Sequence, residues 1–372
     1  MKKILLVIAR LNVGGTAKYL YQLAKLLPEQ GYEVRVITGN VQGDEKEDPV
    51  VADMPIVRLP HLGRRISPIN DILARRELRV EIDEFEPDII YSHTFKAGLL
   101  VRSLKLKQPV IHAFHGHSLT TPEFGSFSKK LIVIIERILA SRCDRIVTVG
   151  QNVARDLIDA GIGKKEQYFS IAPGVPIPEK IDRDKAQNVL GIEVSGRVVV
   201  SWLGRFTSVK GPERVLEVAK SIPNALFIMA GGGELFEDIE KNCPPNLILV
   251  GWQDSNLIYS ISDLVINTSL SEGMPVTLIE AQLAELPIVA LSHGSVSETV
   301  SDKKTGLLYP DYGEDFIEGI SLLVNNHDLR KKMGSQAIEL ATQKFLPNVM
   351  VNQHVKLFES VIMRHAYKPR SS

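Results

Sequence analysis

Apolar residues along this chain gather in short runs rather than in strict alternation with polar ones. Runs at residues 3–9, 33–38, 56–59, 88–92, 110–114 and 145–149 are each bounded by glycine, proline or polar residues. Such segments predict strands buried on both faces. Between them apolar positions recur at helical spacing, first at Leu20, Leu23, Leu26 and Leu27, then over 68–85, 95–106 and 127–142. Strand, glycine loop, helix, strand is the βαβ unit of a parallel sheet. Residues 170–183 break the rhythm with three prolines and a glycine and read as a linker. The alternation then restarts, with strands predicted at 197–203, 225–230, 247–250, 264–267 and 288–290, a helix at 212–221, another after residue 275 and further helices beyond 290. An amphipathic helix over 347–365 has no strand after it. The pattern predicts an α/β protein with two doubly wound Rossmann-like domains, 1–175 and 176–348, facing across a cleft, followed by a terminal segment 349–372. In such sheets ligands sit at the C-terminal ends of the strands.

Composition narrows the class. The chain has 372 residues, 44% hydrophobic and 24% charged, with zero formal net charge. That balance gives no global signal for nucleic acid, which is not expected as a partner. The charge is unevenly spread: residues 1–175 hold 25 basic and 20 acidic side chains, the remainder 19 and 24. Two cysteines, Cys143 and Cys243, form no CxxC and argue against a disulfide framework or zinc cluster. The apolar start is short and interrupted by Arg10 and Asn12, so a first strand is expected rather than a leader, and the protein is expected in the cytoplasm.

The most informative stretch is 269–290. A strand pattern at Leu264-Val265-Ile266 runs into a loop ending Glu272-Gly273-Met274-Pro275, and a helix pattern follows with Glu280 on it. Pro275 suits a first helical turn. Carboxylates beside free backbone amides suit a ligand with both hydroxyls and phosphates. The plainer reading is an N-terminal charge on a helix and a solvated glutamate.

Other strand-end loops add chemistry. Gly14-Gly15 follows the first strand, where glycine lets backbone approach a ligand; it serves equally as a structural turn. Arg205 and Lys210, in Gly-Arg-x-x-x-x-Lys-Gly, are either ordinary surface cations or a pair that reaches a diphosphate. Gly231-Gly232-Gly233 and Gly251-Trp252 close two further strands, and Trp252 suits packing as well as a ligand. His112, His115 and His117 crowd one strand end, but no acidic or cysteine partner stands near, and alternation turns His112 away from the others.

Taken in order, Gly14-Gly15, His115-Gly116, residues 144–149, Arg205 with Lys210, Glu272-x7-Glu280 and Glu298-x7-Gly306 resemble the pattern of retaining GT-B glycosyltransferases of the family 4 type (glycosyl transferases group 1) over essentially the whole chain. The resemblance implies a GT-B fold and transfer of a sugar from a nucleoside diphosphate sugar, a UDP-sugar by preference, with retention and no obligatory metal. It implies that Arg205 and Lys210 hold the diphosphate. Glu272, with Gly273 and Met274 beside Pro275, holds the sugar, Glu280 the ribose, and His115 the reacting end of the sugar. Gly14, Gly15, Gly232 and Trp252 border the donor. The last helix is implied to cross back to the first domain.

The acceptor is open on sequence. The basic surplus has local peaks at Arg58, Arg64, Arg65, Arg75, Arg76 and Arg79, and at Lys96, Arg102, Lys105 and Lys107. They are either solvated faces or a surface for an anionic membrane. A lipid-linked or surface-glycan acceptor is expected, with the protein peripheral on the inner membrane face. The alternatives are a soluble small-molecule acceptor and a non-catalytic GT-B partner subunit.

Overall fold

The structure is a computed structural model, which describes residues 1–43, 45–116, 126–194 and 196–366, with the backbone alone at 126–129. His117 lies outside the described residues. The chain divides into two compact units. Among the described residues, one holds those of 1–116, 126–174 and 347–366; the other holds those of 175–346.

In the first unit the elements run β1 (Lys2–Ile8), α1 (Gly15–Leu26), β2 (Tyr32–Thr38), β3 (Ile56–Arg58), α2 (Pro68–Phe85), β4 (Ile89–His93), α3 (Phe95–Ser103), β5 (Val110–Phe114), α4 (Ser126–Ala140), β6 (Arg145–Thr148), α5 (Gln151–Asp159) and β7 (Tyr168–Ser170). The seven strands are all parallel, in the order β3-β2-β1-β4-β5-β6-β7. Both faces of β1 are buried, which is why its sequence is nearly continuous in apolar residues. Ile4, Leu6 and Ile8 join one core cluster with α1, while Leu5 and Val7 join another with α2 and α3.

In the second unit follow α6 (Arg183–Leu190), β8 (Val198–Leu203), α7 (Glu213–Ser221), β9 (Ala225–Ala230), α8 (Phe236–Lys241), β10 (Leu247–Gly251), α9 (Ser255–Ile261), β11 (Leu264–Asn267), α10 (Val276–Leu283), β12 (Ile288–Leu291), α11 (Val296–Thr299), β13 (Gly306–Tyr309), α12 (Glu314–Asn325) and α13 (His327–Phe345). Its six parallel strands are ordered β10-β9-β8-β11-β12-β13. The last helix, α14 (Pro347–Ala366), packs on the first unit: Met350, Val351, Leu357, Phe358 and Val361 bury against α1 and the β1 face.

Some sequence expectations change. The short helices α5, α6 and α9 went unread, because so few residues carry little periodicity of their own. Only half of the second basic peak is surface: Lys105 and Lys107 are exposed. Lys96 and Arg102 are buried, paired respectively with Asp71 and with both oxygens of Glu136 (2.8 and 2.9 Å). Lys105 and Lys107 lie beyond the end of α3. A buried cation persists only when a partner offsets its lost hydration, and helical spacing cannot reveal that partner.

Candidate active site

In the second unit the strand order reverses between β8 and β11, so their helices leave toward opposite faces and open a crevice at the strand ends. Two loops meet there, 204–212 after β8 and 268–275 after β11. Trp202, buried at the end of β8, donates from Nε1 to the Thr268 hydroxyl at 3.0 Å. That hydroxyl lies 2.9 Å from the carbonyls of both Lys210 and Gly211. The Arg214 guanidinium adds a 2.6 Å bond to the Thr268 carbonyl. The loops are thereby bolted together before any ligand arrives.

On this support Lys210 Nζ donates to Glu272 Oε1 at 2.6 Å, and Asn267 Nδ2 donates to the same oxygen at 3.3 Å. The Glu272 side chain is 8% exposed. Burial pushes its pKa up, but the Lys210 ammonium and the hydrogen bonds of Lys210, Ser269 and Asn267 outweigh burial and hold it below the ordinary carboxylate value. Glu272 is therefore an anion at neutral pH. Arg205 is exposed and makes no side-chain hydrogen bond or ion pair among the described residues. The amides of Gly273 and Met274 likewise have no protein acceptor among them. Pro275 stands just before α10, at its N-cap position and in extended conformation, not in the first turn as its sequence context suggested.

Glu280 is buried rather than solvated. Its Oε2 accepts from the Tyr259 hydroxyl at 3.0 Å, and that hydroxyl also reaches the Thr277 carbonyl. The glycine loop after β9 lies against the β8 loop. A Cβ on Gly231 (φ +136°) would stand 1.8 Å from the Gly204 carbonyl oxygen, so no side chain fits. Phe206 N–H donates to the Gly232 carbonyl at 3.0 Å. Trp252 is 56% exposed, and its indole Nε1 would be 2.6 Å from a Cβ on Gly232, so the ring edge rests where only glycine leaves room. Arg205, Lys210, Gly232, Trp252, Gly273, Met274, Pro275, Glu272 and Glu280 thus belong to loops and one helix at the strand ends of a single unit.

In the first unit the corresponding reversal lies between β1 and β4. Gly14 takes φ +152°, which glycine alone tolerates, and Gly15 opens α1. The Gly14 amide is not free, as its sequence context suggested; it donates to the Asp48 carboxylate at 3.2 Å. His115 follows β5. Its Nε2 lies 3.0 Å from Nδ1 of His93, the last residue of β4, and the Tyr19 ring meets it edge-on at 4.8 Å. Desolvation, then the proximity of His354, pushes His115 down to about 3, so it is neutral at physiological pH. His112 points the other way, to the Ser92 hydroxyl at 2.9 Å. No metal-holding cluster of histidine, cysteine and carboxylate occurs among the described residues.

Sequence reasoning missed Tyr259, Trp202 and Thr268 in the second unit, and Tyr19, His93 and His354 in the first. Trp202, Tyr259 and Tyr19 lie in largely apolar contexts that hide a polar role, and His354 falls on a helix whose partner is far away in sequence. The one available signal was His93, a polar residue closing a buried strand.

Two family models match. Glycosyltransferase Family 4 covers residues 13–177, and glycosyl transferases group 1 covers 182–340. An Escherichia coli UDP-Gal:alpha-D-GlcNAc-diphosphoundecaprenol alpha-1,3-galactosyltransferase is 27% identical over 80% of this chain and 81% of its own length. Among solved structures, sucrose-phosphate synthase from Thermosynechococcus elongatus superposes with a TM-score of 0.84 at 16% identity, over 98% of this chain and all of the other. Anabaena HepE in complex with UDP and glucose gives 0.80 at 19%, over 97% of this chain and 100% of that one.

Proposed function

The chain belongs to the family 4, group 1 glycosyltransferases and has their GT-B fold, and from that premise we propose that it moves a sugar from a UDP-sugar to a hydroxyl of a lipid-linked or surface-glycan intermediate, with retention. The observation that carries this reading is the cluster at the β8/β11 reversal, where Lys210 pairs with the buried anion Glu272 and Arg205 lies exposed on the same loop after β8. Two cations at one strand end suit a diphosphate, first as ligand and then as leaving group. Preorganised charge placed where negative charge develops is a large term in such catalysis. Transfer needs no metal in this scheme, because the two cations supply the charge. Glu272 and the amides of Gly273 and Met274 meet the sugar hydroxyls, Glu280 meets the ribose, and Gly232 and Trp252 border the nucleoside. His115 meets the sugar at the acceptor side, with Gly14 and Gly15 bordering the donor there. Glu272 is not assigned as a nucleophile, because retention in this scheme proceeds without a covalent intermediate. The UDP and lipid-linked choices rest on the galactosyltransferase relative and on the HepE complex.

The first test is a thermal-shift panel of UDP, GDP and ADP without metal. A ligand of the native state raises Tm by mass action. UDP should stabilise the wild type, Arg205→Ala should abolish the shift, and transfer should survive a chelator. Absence of any nucleotide shift would remove the nucleotide-sugar reading.

The acceptor's lipid anchor would bring the protein to a membrane. No described helix is long and apolar enough to cross one. Large aliphatic residues are nevertheless exposed on the first unit: Ile66 just before α2, Ile69 and Ile72 in its first turns, and Leu131, Ile134 and Ile138 along α4. Arg64, Arg65 and Arg76 flank the first set and Lys130 and Arg137 the second, all exposed. Apolar side chains ringed by basic ones suit an anionic bilayer at the cytoplasmic face, each cation contributing about 1 kcal/mol. Cosedimentation with anionic vesicles should weaken with salt and with Ile69→Ser plus Ile72→Ser. Failure to bind such vesicles at low salt would exclude this peripheral role.

A further inference from the structure

His93 and His115 sit at the ends of neighbouring parallel strands, β4 and just past β5, with Nδ1 of His93 facing Nε2 of His115 at 3.0 Å. His93 is fully buried, and its Nε2 has no hydrogen-bond partner among the described residues. Burial, and then each ring's histidine neighbours, depress both imidazoles, so the pair is neutral and each ring carries one N–H. Two arrangements satisfy the shared contact. Were His115 to donate from Nε2, the His93 proton would sit on Nε2 as a buried donor with no acceptor. Orphaned buried N–H groups are rarer than under-satisfied acceptors. The opposite arrangement leaves only an unused lone pair.

We propose that His93 is a positioning residue for His115: its Nδ1–H donates to Nε2 of His115, holds His115 as the Nδ1–H tautomer, and so turns a hydrogen-bond donor toward an oxygen of the bound sugar. His115 Nδ1 makes no hydrogen bond among the described residues, so the donor is available to a ligand. On this assignment His115 is an orienting donor, not a proton acceptor.

The surroundings hold both rings in place. Tyr91 packs against His93 at 4.2 Å, and Tyr19 meets His115 edge-on at 4.8 Å. Both phenols reach Nε2 of His354, on α14, at 3.2 and 3.0 Å. That nitrogen is an acceptor, because His354 must donate from Nδ1 to the Met350 carbonyl 2.8 Å away. The last helix therefore braces the aromatic wall that keeps His93 and His115 aligned. The next residue, Thr94, takes φ 67° and ψ 160°, a conformation rare for a β-branched side chain. Strained backbone of this kind gathers where a side chain must be aimed.

The inference rests on the reading that His115 meets the sugar, and its test separates the two. In the full-length protein with isotopically labelled histidine, imidazole nitrogen NMR at neutral pH reports the tautomer directly, with His115→Gln assigning the signal. The expected result is a protonated Nδ1 on His115, shifting toward protonated Nε2 in His93→Phe. A protonated Nε2 in the wild type, or no change in His93→Phe, would overturn the proposal whatever the enzyme does. In transfer assays His93→Phe should lose about 10²-fold in kcat with little change in donor KM. His93→Asn, whose amide nitrogen can stand where Nδ1 stood, should recover much of that loss, and equal losses in both variants would indicate a structural role alone. If the tautomer is as expected and no sugar is transferred, the functional reading fails and the His93 assignment stands.

Discussion

Lys210 Nζ and Glu272 Oε1 are 2.6 Å apart although 62 positions separate them in sequence. Each is the other's counter-ion, and each sits on a loop leaving one of two adjacent central strands. The pair keeps a carboxylate charged in a site where burial opposes the charge. A bound diphosphate would draw on Lys210 and leave Glu272 leaning on Asn267 and Ser269.

Lys210→Ala should therefore act twice. UDP affinity should fall by about 10- to 100-fold, the size of one charge-assisted contact, as titration calorimetry would read. Glu272 would also lose its main stabilising partner, so the unit should lose about 1–3 kcal/mol at neutral pH. Unchanged UDP binding would remove Lys210 from the donor site.

The Glu272 pKa gives a pH signature. Its folded value lies below its unfolded one, so its charge contributes stability above the ordinary carboxylate range. That contribution is lost as pH falls through the folded pKa. Comparing Tm of wild type and Glu272→Gln across pH, the gap should be widest at neutral pH and close in acid. In Glu272→Gln transfer should fall about 10²-fold while UDP binding persists, because the carboxylate is assigned to the sugar.

Buried histidines add a second acid sensitivity. His115 is depressed to about 3 and His354 to about 4 by burial, against an ordinary 6.5. Below the ordinary value the unfolded chain binds protons that the folded rings refuse, so stability falls as pH drops toward 4. His354→Gln should flatten that slope. An unchanged slope would mean that His354 is not buried as a neutral ring.

Gly294 supports Glu272 from behind. It takes φ +65°, and a Cβ there would stand 1.8 Å from the Glu272 carbonyl oxygen. Gly294→Ala should displace the 268–275 loop. It should lower kcat/KM by about 10-fold or more at a stability cost of about 1–3 kcal/mol. Full activity in this variant would show that the loop relaxes without moving Glu272.

The Arg102–Glu136 pair makes a stability prediction away from the site. Both side chains are at most 2% exposed. Glu136→Ala would leave a buried guanidinium unpaired, at about 3–5 kcal/mol, visible as an early denaturant transition of the first unit with UDP binding retained by the second.

Local sequence determined much of this protein. Strands such as β1, buried on both faces, must be continuously apolar, and that marks them without any structure. Loops with positive φ or with backbone meeting backbone need glycine, which marked Gly14 and the 231–233 loop. The places of Lys210, Glu272 and Glu280 after β8 and β11 were legible from the apolar strand runs before them. Tertiary structure decided how polar groups pair. Nothing local says that Lys96 and Arg102 are buried, that Tyr259 holds Glu280, or that His354 on the last helix meets Tyr19 across 335 positions. Periodicity reports which face a residue shares with its near neighbours. A hydrogen bond between distant segments depends on how helices and strands stack, and that is settled by the summed burial of the whole core.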